Sequence, residues 1–246
     1  MKHSHNTILV TGGGSGIGLA TARLLHAHNN QIILVGRDKA KLQAATAALP
    51  GAFYIVCDIT QEEEVTQLVA KLKSDFPALN IVINNAGKAN AYSLAEGSGA
   101  YEKALGEITT NYLATVRLTE LLLPLLKEKP EAAIINNTSI TAFVPVTILP
   151  TYSASKAALR SYTQSLRLLL HKSTAIKVFE VLPPLVDTAF SKGLPGEKLA
   201  PEAVATAILD GIQTDTYEIQ VGVTSSLYQL FLSSPAAALH HLNGIK

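Results

Sequence analysis

The sequence predicts an α/β protein: a doubly wound, mainly parallel sheet of seven strands with helices on both faces. Three observations carry this. Short apolar runs of strand length alternate with longer segments of helical period from Thr7 to about Leu232. A glycine-rich stretch, Gly12-Gly13-Gly14-Ser15-Gly16-Ile17-Gly18, stands between the first strand and the first helix. No shift of composition, internal repeat or low-complexity linker divides the chain, so residues 1–246 are read as one domain.

The first strand is Thr7 to Thr11, and the helical pattern after the glycines runs from Leu19 to His28. Glycine permits a sharp turn and a close approach of backbone to ligand, and a helix N-terminus offers free N–H groups to a phosphate. Strand, glycine turn and helix in this order point to a dinucleotide pyrophosphate. The spacing is T-G-x-x-x-G-x-G, through Thr11, Gly12, Gly16 and Gly18.

Gln31 to Gly36 is a second strand and ends at Arg37. The residue after this strand usually meets the adenosine ribose, where an acid suits a free 2′-hydroxyl and a cation suits a 2′-phosphate. Gly36-Arg37 therefore favours NADP(H) over NAD(H). Asp38 is either a carboxylate near that ribose or the N-cap of a helix from Lys39 to Ala48, and the cap fits it better.

Phe53 to Cys57 is a third strand, followed by Asp58. Thr60 and Glu63 have capping-box spacing for a helix from Gln61 to Asp75, which leaves Asp58 free to face an adenine. Ile81 to Ile83 is a fourth strand, closed by Asn84-Asn85-Ala86-Gly87. Those asparagines either tie neighbouring loops together, line a crevice or form a plain turn.

A long helix is expected from Tyr101 to Leu126, with Asn111 inside it. Asparagine is an indifferent helix former, so a buried Asn111 needs polar partners. Ala132 to Asn136 leads to Ser139. Next comes a helix over 151–171 that carries Tyr152 and Lys156 one turn apart on one face. A bare Y-x-x-x-K is more often two surface groups. Beside an ammonium, however, a phenol with an ordinary pKa of about 10 moves toward neutrality and becomes a general acid or base. Ala175 to Leu182 is the sixth strand, Pro201 opens a helix to Gln213, Tyr217 to Val221 is a partly exposed seventh strand, and a last helix near Ser226 to Leu232 stops before Pro235.

Composition narrows the partners. A formal charge of +1 without blocks of like charge argues against nucleic acid. One cysteine, Cys57, excludes an internal disulfide and a multi-cysteine metal site, and it reads as a small buried filler. The histidines, paired as His3/His5, His26/His28 and His240/His241, lack further ligands at sensible spacing, so no metal is expected. The N-terminus has no apolar run of secretory type. The stretch Leu118 to Leu126 contains Glu120 and Pro124 and is too short to span a bilayer. A cytoplasmic protein without membrane insertion is expected.

With these motifs in order, the chain resembles the short-chain dehydrogenase/reductase family from Thr7 to about Gly222. The resemblance rests on T-G-x-x-x-G-x-G, Asp58, N-N-A-G, Asn111, Ser139, Y-x-x-x-K and a proline-led loop from Pro183. The tail and that loop are most similar to the bacterial DltE-like branch. A Rossmann-type fold is implied, with an NAD(P)-dependent oxidoreductase that moves hydride between a nicotinamide and a small carbonyl or secondary alcohol.

The resemblance assigns the proton to Tyr152, pKa control and the nicotinamide ribose to Lys156, the substrate oxygen to Ser139, and a water of a proton relay to Asn111. It gives the dinucleotide Gly12, Ser15, Gly16, Ile17, Gly18, Arg37, Asp58, Ile59, Asn85, Ala86, Gly87, Pro183, Val186 and Thr188, besides Tyr152 and Lys156. Pro184 stands where the family commonly has glycine, which removes an N–H and fixes φ.

A non-catalytic, cofactor-sensing protein on the same fold is the alternative, which loss of Tyr152 or Lys156 would have favoured. A sugar-nucleotide epimerase ranks last, because little chain remains beyond Thr188 to bind a sugar. The segments Ala142 to Leu149 and Ala189 to Leu199 are expected to form the substrate pocket, the second as a short lid. A homodimer or homotetramer is implied through the helices near 101–126 and 152–171. Their apolar stripes are Leu105, Ile108, Tyr112, Thr115 and Leu122, and Leu159, Tyr162, Leu166 and Leu169; these stripes equally suit a face turned to the sheet.

Overall fold

Seven strands form one parallel sheet in the order β3-β2-β1-β4-β5-β6-β7. The computed structural model describes residues 1–245. The strands are β1 (Thr7–Thr11), β2 (Gln31–Gly36), β3 (Phe53–Val56), β4 (Leu79–Asn84), β5 (Ala132–Asn137), β6 (Ile176–Leu182) and β7 (Glu218–Gln220). Because both faces are covered, the central strands read as continuous apolar runs, and the two-residue pleat sorts them. Ile8, Val10, Ile32 and Leu34 point to one layer, where Leu25, Leu42, Val204 and Ile208 meet them. Leu9, Ile33, Val82 and Ile134 point to the other, against Leu68, Leu118, Leu122 and Leu166.

The first layer comprises α1 (Gly16–Ala27), α2 (Lys39–Ala47) and α7 (Pro201–Thr214). The second comprises α3 (Glu62–Asp75), α5 (Ala114–Lys127) and α6 (Pro150–His171). Among the described residues no helix is long and apolar enough to cross a membrane. Cys57 is buried as expected, and burial pushes its thiol up to about 12, which keeps it protonated and inert. Asp38 does cap α2, accepting from the Lys41 N–H at 3.1 Å.

Three local expectations are corrected. Thr60 does not cap α3: its hydroxyl and N–H both donate to Asp58 Oδ1, at 2.7 and 3.0 Å, and Gln61 is the N-cap without a side-chain bond. The nearer carboxylate wins the threonine, through its Oδ1 alone. The long helix is unbroken, as expected, but it is not α-helical throughout. It consists of α4 (Ala100–Ile108), a π-turn (Thr109–Leu113) and α5. The widened turn holds Asn111, whose side chain bonds away from the helix; π-turns recur at functional sites for this reason. Finally, α8 (Thr224–Ser233) is followed by α9 (Pro235–Asn243), which begins with Ser234 as N-cap and Pro235 in its first turn. Pro235 therefore starts a helix as well as ending one. Ala238 of α9 packs with Leu227, Ile140 and Val144 in a small cluster apart from the two layers.

The two apolar stripes divide. Leu122 and Leu166 pack in the core layer against the sheet, Thr115 and Leu159 are also buried, and Leu105 and Leu169 are exposed.

Candidate active site

The carboxyl ends of β1, β4, β5 and β6 open into one cavity of about 660 Å³. Its floor begins at the glycine turn. Gly12 has φ +65°, and a Cβ there would sit 3.0 Å from Ala86 Cα. Gly18 lies behind the turn, where a Cβ would come within 2.5 Å of both Asn85 Nδ2 and the Gly12 carbonyl. Side chains at either place would push the turn off the N-N-A-G loop. That loop is fastened by Thr11, whose hydroxyl oxygen accepts from the N–H groups of Asn85 and Ala86 at 3.0 and 3.1 Å. Asn85 Nδ2 donates back to the Thr11 carbonyl at 3.0 Å. The asparagines thus tie loops together, and a second doublet at the end of β5 joins them. Asn136 Oδ1 accepts from Asn84 at 2.8 Å, and Asn137 donates to Asn85 Oδ1 at 2.9 Å.

Opposite this floor stands the first turn of α6. Pro150 occupies its start, where the missing N–H costs nothing, and Tyr152 and Lys156 face inward, both buried. Lys156 Nζ donates to the Asn137 carbonyl at 2.7 Å and lies 5.8 Å from the Tyr152 ring centre. Ser139, leaving β5, contributes its hydroxyl to the same cavity. Asn111 does not line it. Its amide donates to the Ser155 hydroxyl at 2.8 Å and the Lys88 carbonyl at 2.9 Å, and its Oδ1 accepts from the Lys88 N–H at 2.8 Å. Ser155 in turn donates to the Tyr152 carbonyl at 2.7 Å, so Asn111 braces the turn that carries the tyrosine.

Burial, not the lysine, dominates the electrostatics, contrary to the expectation from spacing. Desolvation pushes the Tyr152 hydroxyl up to about 12, against the pull of the Ser139 hydroxyl, and Glu107 raises it further. Desolvation brings Lys156 down to about 8. A lysine with a lowered folded pKa opposes folding below that value, and the penalty disappears as the unfolded chain loses its proton near 10.5. Between pH 8 and 10.5 the ligand-free protein should therefore gain on the order of 3 kcal/mol relative to Lys156→Met, read as the difference in urea midpoints. Parallel pH profiles for the two proteins would show that Lys156 carries no such penalty.

Of the residues singled out for the dinucleotide, Gly12, Ser15, Gly16, Ile17, Asn85, Ala86, Gly87, Pro183, Val186 and Thr188 line the cavity. Arg37 and Asp58 stand together at the neighbouring ends of β2 and β3, Nη1 to Oδ2 at 3.7 Å, with Arg37 largely exposed. Partial burial acts to raise Asp58, but Thr60 and Arg37 outweigh it and hold the carboxyl below its ordinary value. Ile59 is buried beside them and faces no part of the cavity.

The cleft fits a dinucleotide. Its turn leaves no room for a Cβ, Ser15 at the head of α1 makes no side-chain cap, and Asn137 Oδ1 and Thr141 Oγ1 are buried without a protein partner. Pro184 lines the cavity without disturbing the loop's anchor, since the preceding Pro183 carbonyl accepts from the Ile140 N–H at 2.9 Å.

The rest of the cavity wall includes Val146 to Leu149 and Ala189 to Ser191, from the two segments expected to form a substrate pocket. The second is pinned: Ser191 Oγ donates to the Val186 carbonyl at 2.6 Å, and Leu199 pairs with both Leu185 and Asp187. Phe190 lies 5.7 Å from the Tyr152 ring, centre to centre. Leu242 and Asn243 of α9 complete the wall and were not foreseen. Asn137 was also missed, although its signal, a second Asn-Asn doublet at a strand end, is in the sequence.

The family model for short chain dehydrogenases matches residues 6–198. An uncharacterized oxidoreductase of Bacillus subtilis (strain 168), DltE, is 36% identical over 225 residues, covering 89% of each chain. A short chain dehydrogenase from Burkholderia cenocepacia, solved in complex with NADP, superposes with a TM-score of 0.86 at 27% identity, over 98% of each chain. A 3-ketoacyl-(acyl-carrier-protein) reductase from Brucella melitensis, complexed with NADH, gives 0.79 at 26% identity over 85% of this chain and 91% of its own.

Proposed function

Because the chain belongs to the short-chain dehydrogenase family, as an NAD(P)-dependent oxidoreductase of the DltE-like branch, we propose that it interconverts a carbonyl and a secondary alcohol with NADPH, and that Tyr152 moves the proton. The observation that carries this reading is the convergence of Tyr152, Lys156 and Ser139 on a cavity floored by the glycine turn. The nicotinamide, when bound, supplies or takes up the hydride. The glycine turn and the head of α1 hold the pyrophosphate. Ser139 donates a hydrogen bond to the substrate oxygen, and Tyr152, protonated at neutral pH, delivers its proton there. Lys156 holds the nicotinamide ribose and stabilises the phenolate left behind. Asn111 keeps the Tyr152–Lys156 turn in place through Ser155.

Cofactor choice rests on Arg37. Its exposed guanidinium suits a 2′-phosphate, and no acid occupies position 36. A Cβ at Gly36 meets only Leu42, at an ordinary 3.6 Å, so an aspartate fits there without distortion. Arg37→Ala is expected to cut the preference for NADPH over NADH by roughly tenfold or more, one charge-assisted bond being lost. Gly36→Asp in that background should reverse it. Direct titration of both reduced cofactors decides the matter: tighter NADH binding by the unaltered protein rejects the NADPH assignment.

A further inference from the structure

We infer that the substrate taken by this pocket is an uncharged, largely apolar ketone or aldehyde, held by a collar that α9 completes. The inference rests on the oxidoreductase reading above and narrows it. Three large apolar side chains that the fold leaves exposed, Ile148, Phe190 and Val223, all line this one cavity. They come from three separate segments, so their convergence is a property of the fold and not of one greasy loop. Leu185, Leu194 and Leu242 extend the same surface inward. A contiguous exposed apolar rim around a concavity marks a ligand surface.

The charges point the same way. Among the described residues, two ionisable groups other than Tyr152 line the cavity, Lys156 and Glu197. Lys156 is buried and already donates to the Asn137 carbonyl, and it stands at the cofactor side. Glu197 is exposed at the mouth. Among the described residues a substrate carboxylate or phosphate would find no lining cation on the apolar side and an acid at the entrance, and its desolvation would go uncompensated.

The wall from α9 is fixed rather than incidental. Asn243 donates to the Pro145 carbonyl at 2.9 Å and accepts from the Thr147 N–H at 2.8 Å. These bonds seat Leu242 beside the loop that carries Ile148.

The test uses matched pairs differing by one carboxylate: acetophenone and 4-acetylbenzoate, cyclohexanone and 4-oxocyclohexanecarboxylate, 2-octanone and 7-oxooctanoate. Each is measured twice with the full chain, by NADPH oxidation and by calorimetric titration in the presence of NADP+. The neutral member of at least one pair should bind at least tenfold more tightly than its acid and be reduced with the higher kcat/KM. Leu242→Ala and Phe190→Ala should each weaken binding of that neutral ketone severalfold, and Ile148→Lys should narrow the gap between the members of the pair. Neutral binding without turnover would sink the oxidoreductase reading and leave the pocket's chemistry standing. Equal or tighter binding of the acids, no binding of any neutral ketone at millimolar concentration, or unchanged affinity in Leu242→Ala overturns the inference.

Discussion

Tyr152→Phe is expected to lower kcat for carbonyl reduction by about 10²–10⁴-fold while leaving cofactor affinity almost unchanged. The ring stays, so the packing against Phe190 and the contact with Lys156 persist; only the transferable proton is removed. The same burial that makes Tyr152 a poor base in the ligand-free cleft keeps it a proton donor up to about pH 12. Loss of reduction on the alkaline side should therefore follow Lys156, whose ammonium discharges near 8, and not the phenol. The measurement is single-turnover NADPH oxidation against pH, with Kd taken separately by titration. Turnover within a few-fold of the unaltered protein would remove Tyr152 from the chemistry.

Arg160→Met is expected to destabilise the protein by about 3–5 kcal/mol, the usual effect of stripping a buried ion of its partner. Arg160 Nη1 lies 2.6 Å from Glu180 Oε2, and Glu180, in the middle of β6, is wholly buried. Its other oxygen accepts from the Thr138 hydroxyl at 2.8 Å. Burial drives the Glu180 carboxyl up and Arg160 draws it down, leaving it still above its ordinary value, so loss of the guanidinium forces it to take up a proton. The guanidinium also stands over the rings of Phe143 and Tyr228, at 6.0 and 5.7 Å, which links α6 to α8. Adding Glu180→Leu to Arg160→Met should recover most of the loss, since the uncompensated charge goes with it. Urea unfolding of the two single variants and the double one provides the cycle. Arg160 Nη2 also lies 3.4 Å from the partly exposed Glu218, so a loss below about 1 kcal/mol in Arg160→Met would mean that Glu180 is not left uncompensated as its burial implies.

Neither that pair nor its strength is written in the sequence. Arg160 and Glu180 lie on different elements, and an arginine on a helix ordinarily reads as surface. What local chemistry dictates was legible: the seven strands, the glycine turn, the cap at Asp38, the inward face of α6. Features decided by competition were not. Thr60 has the spacing of a cap, but Asp58 is nearer and takes its hydroxyl. Pro235 reads as a terminator until Ser234 is recognised as the cap of another helix. The π-turn at Asn111 follows from partners on Lys88 and Ser155, which only the folded chain brings within reach. The direction of the Tyr152 and Lys156 shifts depends on burial, and spacing alone carries no information about that.

The clasp between Thr11 and Asn85 also bears on how the chain reaches its native state. Its two halves are separated by 74 residues, and every pairing in the sheet is parallel, so no hairpin brings them together early. The glycine turn is set against the N-N-A-G loop only where β4 lies beside β1, with β2 and β3 on the other side of β1. Closing that loop costs chain entropy before the contacts repay it, the regime of slow, high contact-order folding. A nascent chain ending before Leu79 holds the whole glycine motif yet lacks the loop that completes the cleft. The dinucleotide can therefore reward the folded state but cannot act as its early template.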